Sequence, residues 1–94
     1  MDLLWDTPND IALRTANKIK RIRKRKKITQ EVLAARSNVS YASLKRFERT
    51  GEISFVSLIK ICMELGVEDE IKDLFTRPVY NSIEEVIRDA RETS

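Results

Sequence analysis

The segment that most restricts how this chain can fold is Thr29–Gly51, TQEVLAARSNVSYASLKRFERTG, because it holds start and stop signals for two short helices in succession. Thr29 is a strong N-cap residue, and Glu31, beside Gln30, puts a carboxylate in the first turn. Val32, Leu33, Ala34 and Ala35 give one short apolar face. Ser37-Asn38 stops this helix, since asparagine tolerates the left-handed conformation needed just past a helix end. Val39 follows as a buried plug, and Ser40 caps a second helix from Tyr41 to about Arg49. Leu44 and Phe47 lie on its inner face; Tyr41, Ala42, Lys45 and Arg46 lie on its outer one. A helix whose outward residues are small, hydroxyl-bearing or basic is of the kind that fits a DNA major groove.

The rest of the composition agrees with a small helical domain. With 94 residues the chain is one domain with a modest core, marginally stable unless it self-associates. Only two glycines and two prolines leave little room for the turns of a sheet. The single cysteine, Cys62, excludes an internal disulfide framework, and its apolar surroundings mark it as a buried structural thiol. No signal peptide or membrane-spanning run is visible, so an intracellular, cytoplasmic protein is expected. The net charge of +3 conceals an uneven distribution. Residues 18–63 carry thirteen basic and three acidic side chains, whereas residues 64–94 carry nine acidic and four basic ones. A basic centre suits a polyanion; an acidic tail suits solvent, or a partner other than DNA.

In chain order, residues 1–8 form an N-terminal arm in which Leu3, Leu4 and Trp5 are apolar and suited to packing on the body or on a second subunit. Thr7, Pro8 and Asp10 start a first helix that runs to about Lys26, with Ala12, Ala16, Ile19, Ile22 and Arg23 along one face. Eight of the ten residues Lys18–Lys27 are basic. They favour an anionic partner, although positive charge near a helix C-terminus is also stabilising in itself. Downstream, Ser54 caps a helix over Phe55–Leu65, with Leu58, Ile61, Cys62 and Leu65 facing inward and Gly66 ending it. A fifth helix is predicted over Val67–Phe75 with Ile71, Leu74 and Phe75 as its apolar side. An extended link follows over Thr76–Asn81, because Pro78 disfavours helix at Arg77. Ser82 and Glu85 frame a capping box for an amphipathic last helix to about Glu92. The domain proper is therefore read as residues 9–76, with 77–94 as a C-terminal extension.

The central stretch resembles the helix-turn-helix of the Xre family, the lambda-repressor and Cro type of transcriptional regulators. The matching positions are Thr29-Gln30, Leu33-Ala34, Val39-Ser40, Ser43-Leu44 and Glu48 with Gly51 behind it. The resemblance continues into Ile19-x-x-Ile22-Arg23 upstream, and into Leu58-x-x-Ile61 and Leu65-Gly66-Val67 downstream. It covers about Ala16 to Phe75 and implies an all-α fold, a compact five-helix lambda-repressor-like domain with a short C-terminal extension helix. Two positions depart from the family pattern, which commonly has glycine after the first helix and in the inter-helix turn. Here those places hold Lys27 and Asn38, so a standard second turn and an altered first turn are expected. A weaker resemblance, in overall length, in the Lys45–Ser54 junction and in the Leu74–Tyr80 tail, is to HipB-like antitoxins, which pair with a HipA-like kinase toxin.

The resemblance implies roles residue by residue. Gln30, at the start of the second helix, would bind a phosphate. Tyr41, Ala42, Lys45 and Arg46 would face base edges; Ser40 and Ser43 serve as cap and phosphate ligand; Arg49, Thr50 and Lys27 hold backbone. Arg23 and Glu48 would form a salt bridge that fixes the angle of the third helix. The expected partner is double-stranded DNA, on a palindromic operator bound by a homodimer, with a HipA-like toxin as a further partner. The alternative is a protein-interaction adaptor that docks a partner through its acidic C-terminal part. A membrane partner is disfavoured, because the Lys18–Lys27 run has no interleaved Trp or Phe. With no histidine, no glycine-rich phosphate loop and no metal-ligand cluster, neither an enzyme nor a metal or other cofactor is expected.

Overall fold

The computed structural model describes residues 6–78 and 83–93. Within them lie α1 (Pro8–Arg25), α2 (Gln30–Ser37), α3 (Tyr41–Thr50), α4 (Phe55–Leu65), α5 (Glu68–Lys72) and α6 (Ile83–Thr93). Each of the first four is started by a hydroxyl. Thr7 accepts the Asp10 N–H at 3.0 Å while the Asp10 carboxylate accepts the Thr7 N–H at 3.1 Å. Thr29, Ser40 and Ser54 accept the N–H of Val32, Ser43 and Ser57, each at 3.1 Å. Such a cap contributes about 1 kcal/mol by satisfying an amide that the helix leaves unpaired. The Leu3-Leu4-Trp5 arm and the Ser82 cap lie outside the described residues.

Ala16, Ile19, Leu33, Ala34, Val39, Leu44, Phe47, Ile61, Cys62 and Leu65 form one buried cluster fed by α1 to α4. Ile22, Ile28, Ile53, Leu58, Val67 and Ile71 seal its margins. Helix α3 packs on α1 and α2; α4 packs on α2 and α5 and touches α1. Two expectations about apolar faces fail. On α2 only Leu33 and Ala34 are buried with Ser37, whereas Val32 and Ala35 are exposed. At 100° per residue, four consecutive residues spread over about 300° of the helix circumference and cannot share one face. The fifth helix is also shorter than predicted and ends at Lys72. Ile71 packs at the margin, but Leu74 is exposed and Phe75 is 95% exposed with φ +61°. The backbone turns left-handed at Phe75, so its ring leaves the face that continued helical spacing would give it.

The pairing of α1 with α3 sets the geometry of everything between them. Arg23 is buried on α1; its Nε and Nη2 donate to Glu48 Oε2 and Oε1 at 2.7 and 2.9 Å. Its Nη1 donates to the Ile28 carbonyl at 2.8 Å, tying down the α1–α2 connection. From α2, Gln30 Nε2 donates to Glu48 Oε1 at 2.9 Å. Burial pushes the Glu48 carboxyl pKa up, but the bonds from Arg23 and then Gln30 outweigh it and hold the carboxyl below the usual glutamate range. At the end of α3, Gly51 has φ +83°, and a Cβ there would lie 2.6 Å from the Ala12 carbonyl carbon and 2.7 Å from the Leu13 nitrogen. The two backbones meet at a distance that admits no side chain. After α1, the left-handed position falls on Lys27, with φ +57°. The first turn therefore keeps the geometry for which glycine is suited, contrary to the altered turn expected from the substitution. An L residue bears about 1–2 kcal/mol of steric cost there.

Gly51→Ala adds a clash with backbone to left-handed strain and is expected to destabilise by roughly 2–5 kcal/mol. Gly66→Ala, where φ is +75° but nothing lies within 4 Å, should show the strain alone, about 1–2 kcal/mol. Equal losses on urea unfolding would refute the close approach. For the ion pair, single and double alanine variants of Arg23 and Glu48 should give a coupling energy well above zero, and strict additivity would count against the bond. Because the folded Glu48 pKa is depressed, its contribution is present above the unfolded value near pH 4.3 and is lost as pH falls through the folded value. The stability gap between wild type and Glu48→Gln should accordingly shrink below about pH 4.3.

Candidate nucleic-acid interface

Helices α2 and α3 are joined by Asn38 in the left-handed conformation at φ 57°. The Val39 N–H reaches back to the Ala34 carbonyl at 3.0 Å, and Val39 is 7% exposed, filling the corner. The Ser37 hydroxyl donates to the Leu33 carbonyl at 2.7 Å, so this polar group is satisfied inside the corner. The turn sets the direction of α3, and the burial of Leu44, Phe47 and Glu48 sets its rotation about its own axis. What remains outside is Tyr41, Ala42, Ser43, Lys45, Arg46 and Arg49, all exposed.

These outward side chains are arranged among themselves. Lys45 Nζ lies 5.0 Å from the centre of the Tyr41 ring, within range of a cation–π attraction. The Ser40 hydroxyl donates to Ser43 Oγ at 2.7 Å as well as capping the helix. Arg46 Nη2 donates to Glu52 Oε2 at 3.0 Å. That last contact is absent from the sequence reading, because residues six apart are not neighbours along a helix. It exists because Gly51 turns the chain back on itself. The Glu52 N–H donates to Thr50 Oγ1 at 3.1 Å, and the Thr50 hydroxyl donates to the Arg46 carbonyl at 2.7 Å, closing the turn onto the helix. A cleft of about 300 Å³ lined by Ser43, Arg46, Glu52, Ile53, Ser54 and Ser57 lies between this turn and the start of α4.

Gln30, expected to bind a phosphate from the start of α2, has a partner inside the domain that the sequence does not announce. One N–H of its side-chain amide donates to Glu48, which holds the residue against the motif. The basic run divides. Arg23 is buried, whereas Lys18, Arg21, Lys24, Arg25, Lys26 and Lys27 are exposed. At 100° per residue the run encircles α1 and its exit, so no single face displays all of it. Lys18 lines a separate apolar groove with Ile19, Ile22, Cys62 and Ile71. Burial, with the negative charges of Glu70 and Glu68 added, pushes the Cys62 thiol pKa up and keeps it out of the nucleophilic thiolate form. Among the described residues no group of His, Cys, Asp or Glu is placed to hold a metal ion, and no helix is long and apolar enough to cross a membrane.

The exposed set on α3 combines donors in a fork, a point charge, a phenol, a hydroxyl and a methyl group. Arginine can pair with guanine O6 and N7, an alanine methyl can touch thymine, and lysine and hydroxyl groups serve phosphates as well as bases. The carboxylate of Glu52 is ion-paired to the arginine of this set. Comparison with known proteins gives no match among curated proteins and none among solved structures. A helix-turn-helix family model does match, over residues 19–71, from the second half of α1 to the penultimate residue of α5. The chain belongs to the helix-turn-helix family of Xre, lambda-repressor-like DNA-binding regulators.

Proposed function

We propose that this regulator binds a specific double-stranded DNA site as a homodimer and represses transcription from it. The observation that carries this reading is the outer face of α3, where Tyr41, Ala42, Lys45 and Arg46 stand exposed while Leu44, Phe47 and Glu48 lock the opposite face into the domain. In this reading those four side chains meet base edges. Gln30, Ser40, Ser43, Arg49 and Lys27 meet phosphates at the margins of the motif. A module of this size buries only about 600–1,000 Å² on DNA, too little to select one site in a genome. Two copies on a palindrome double the contact and square the discrimination.

A second reading, as an autoregulating antitoxin with a HipA-like kinase toxin as partner, rests on the C-terminal part. Helix α6 lies beyond the family match and carries Ile87 47% exposed. Copurification of the full chain with such a kinase, lost on deletion of residues 77–94 while DNA binding persists, would support it. Persistence of the complex after deletion would remove this part of the chain as the docking element.

The phosphate contacts make affinity fall steeply with salt. Lys27→Gly should lower the slope of log K against log[salt] by about one and weaken specific and random duplexes alike. The same change should raise stability by about 1 kcal/mol, since glycine accepts the left-handed backbone at that position. A flat titration between about 50 and 200 mM salt would remove DNA as the ligand of this surface.

Base reading is tested at Arg46. Arg46→Ala should leave the unfolding midpoint unchanged, cost roughly 1–3 kcal/mol on the preferred site and relax preference at one base pair. Selection from a randomised duplex library at fixed salt reads this directly. A variant that binds every sequence less well with an unchanged base profile would reassign Arg46 to phosphate and shift base reading toward Tyr41 and Ala42.

A further inference from the structure

We infer that Glu52 is a positioning residue for base readout, holding the Arg46 guanidinium in place so that it discriminates bases without leaving the carboxylate. The inference rests on the proposal that Arg46 faces base edges and adds a second residue to that readout. Three observations lead to it. The first is the bond itself, Arg46 Nη2 to Glu52 Oε2 at 3.0 Å, with the two side chains 60% and 59% exposed. The second is the stiffness of the support. The Glu52 N–H is bonded to Thr50 Oγ1, Thr50 is bonded to the Arg46 carbonyl, and Gly51 between them is pressed against the α1 backbone. The carboxylate therefore stands on a turn anchored to both α3 and α1, not on a loose loop. The third is charge. A carboxylate on a DNA-facing surface repels phosphates and lowers affinity for every sequence. An exposed ion pair also contributes little to stability, about 0–1 kcal/mol. Neither affinity nor stability gives this residue a role, whereas orientation of Arg46 does.

The geometry makes the effect selective. A guanidinium has five N–H donors in a planar fork, and Glu52 engages Nη2. Enough donors remain for guanine O6 and N7 while the Glu52 bond is kept, so cognate DNA receives an arginine already oriented. On a non-cognate sequence a single acceptor such as adenine N7 or thymine O4 replaces the guanine pair, and the fuller contact is a swing to a phosphate, which competes with the Glu52 bond. The carboxylate thus preserves the gain on guanine and reduces the gain elsewhere. Removing it should strengthen random binding and blunt discrimination at the same time.

The test compares wild type, Glu52→Gln, Glu52→Ala and Arg46→Ala on the full chain. Each is assayed for base profile on a randomised duplex library and for affinity on the selected site and a random duplex at one salt concentration. Unfolding midpoints are recorded alongside. Both Glu52 variants are expected to bind random duplex more tightly and to lose about fivefold or more of the preference at the base pair that Arg46→Ala also relaxes. If Arg46→Ala flattens that position while the Glu52 variants bind everything more tightly with the profile intact, Glu52 is only a charge and the inference is overturned alone. If Arg46→Ala leaves the profile unchanged, the assignment of Arg46 to bases falls, and the role of Glu52 falls with it.

Discussion

The buried bond between Arg23 and Glu48 is the interaction on which the rest of the domain depends. It joins α1 to α3 across the intervening helix, and Gln30 brings the start of α2 onto the same carboxylate. Placing a charged pair in the interior is costly in desolvation, and a well-packed apolar pair would often be as stable or more so. What an apolar pair lacks is direction. A guanidinium fork meeting a carboxylate in two parallel bonds, with further bonds to Gln30 and the Ile28 carbonyl, is satisfied in one relative orientation of three helices. The outer face of α3 inherits that orientation. Leu44 and Phe47 supply the burial, and the polar cluster supplies the angle.

The left-handed backbone positions show a division of labour. Gly51 and Gly66 suit theirs, and Asn38 is a tolerable substitute for glycine in the turn of the motif. Lys27 is different, since it carries a long charged side chain at a place where the backbone favours none. A strained position that bears a functional side chain is a recurrent trade between stability and activity. In the proposed docking the cost is offset in the complex, where the lysine meets a phosphate.

Much of this was legible in the sequence. The caps at Thr7, Thr29, Ser40 and Ser54 were readable because hydroxyl capping is local, and the inward positions of α3 and α4 because helical period is local. Legibility failed where the outcome depends on the third dimension. Lys27 keeps the left-handed turn beside an Ile28 carbonyl that Arg23 holds, a contact that no local pattern announces. Whether Leu74 and Phe75 continue a helix is decided by a left-handed turn at Phe75, which apolar spacing does not announce. Val32 and Ala35 were grouped with Leu33 and Ala34 by hydrophobicity, although a short helix has room for only part of that set against the core. The links from Glu52 to Arg46 and from Gln30 to Glu48 join residues whose separation has no meaning in a helix, so only the folded chain reveals them. The family assignment rested on spacing over many positions, and the match over residues 19–71 spans the same helices.

The contact of Gly51 with the backbone of Ala12 and Leu13 has a mechanical consequence for recognition. Where a side chain separates two helices, rotamer changes let them slide. Where main chain rests on main chain, no such cushion exists, and α3 is mounted on α1 as a rigid fitting. Any misfit between that fitting and a duplex falls on the softer body, the DNA, which must bend, twist or narrow a groove to accept it. Deformation energy depends on base sequence, since pyrimidine–purine steps yield and A-tracts resist. In the proposed docking, a domain mounted in this way is sensitive to the stiffness of base pairs that none of its side chains touch.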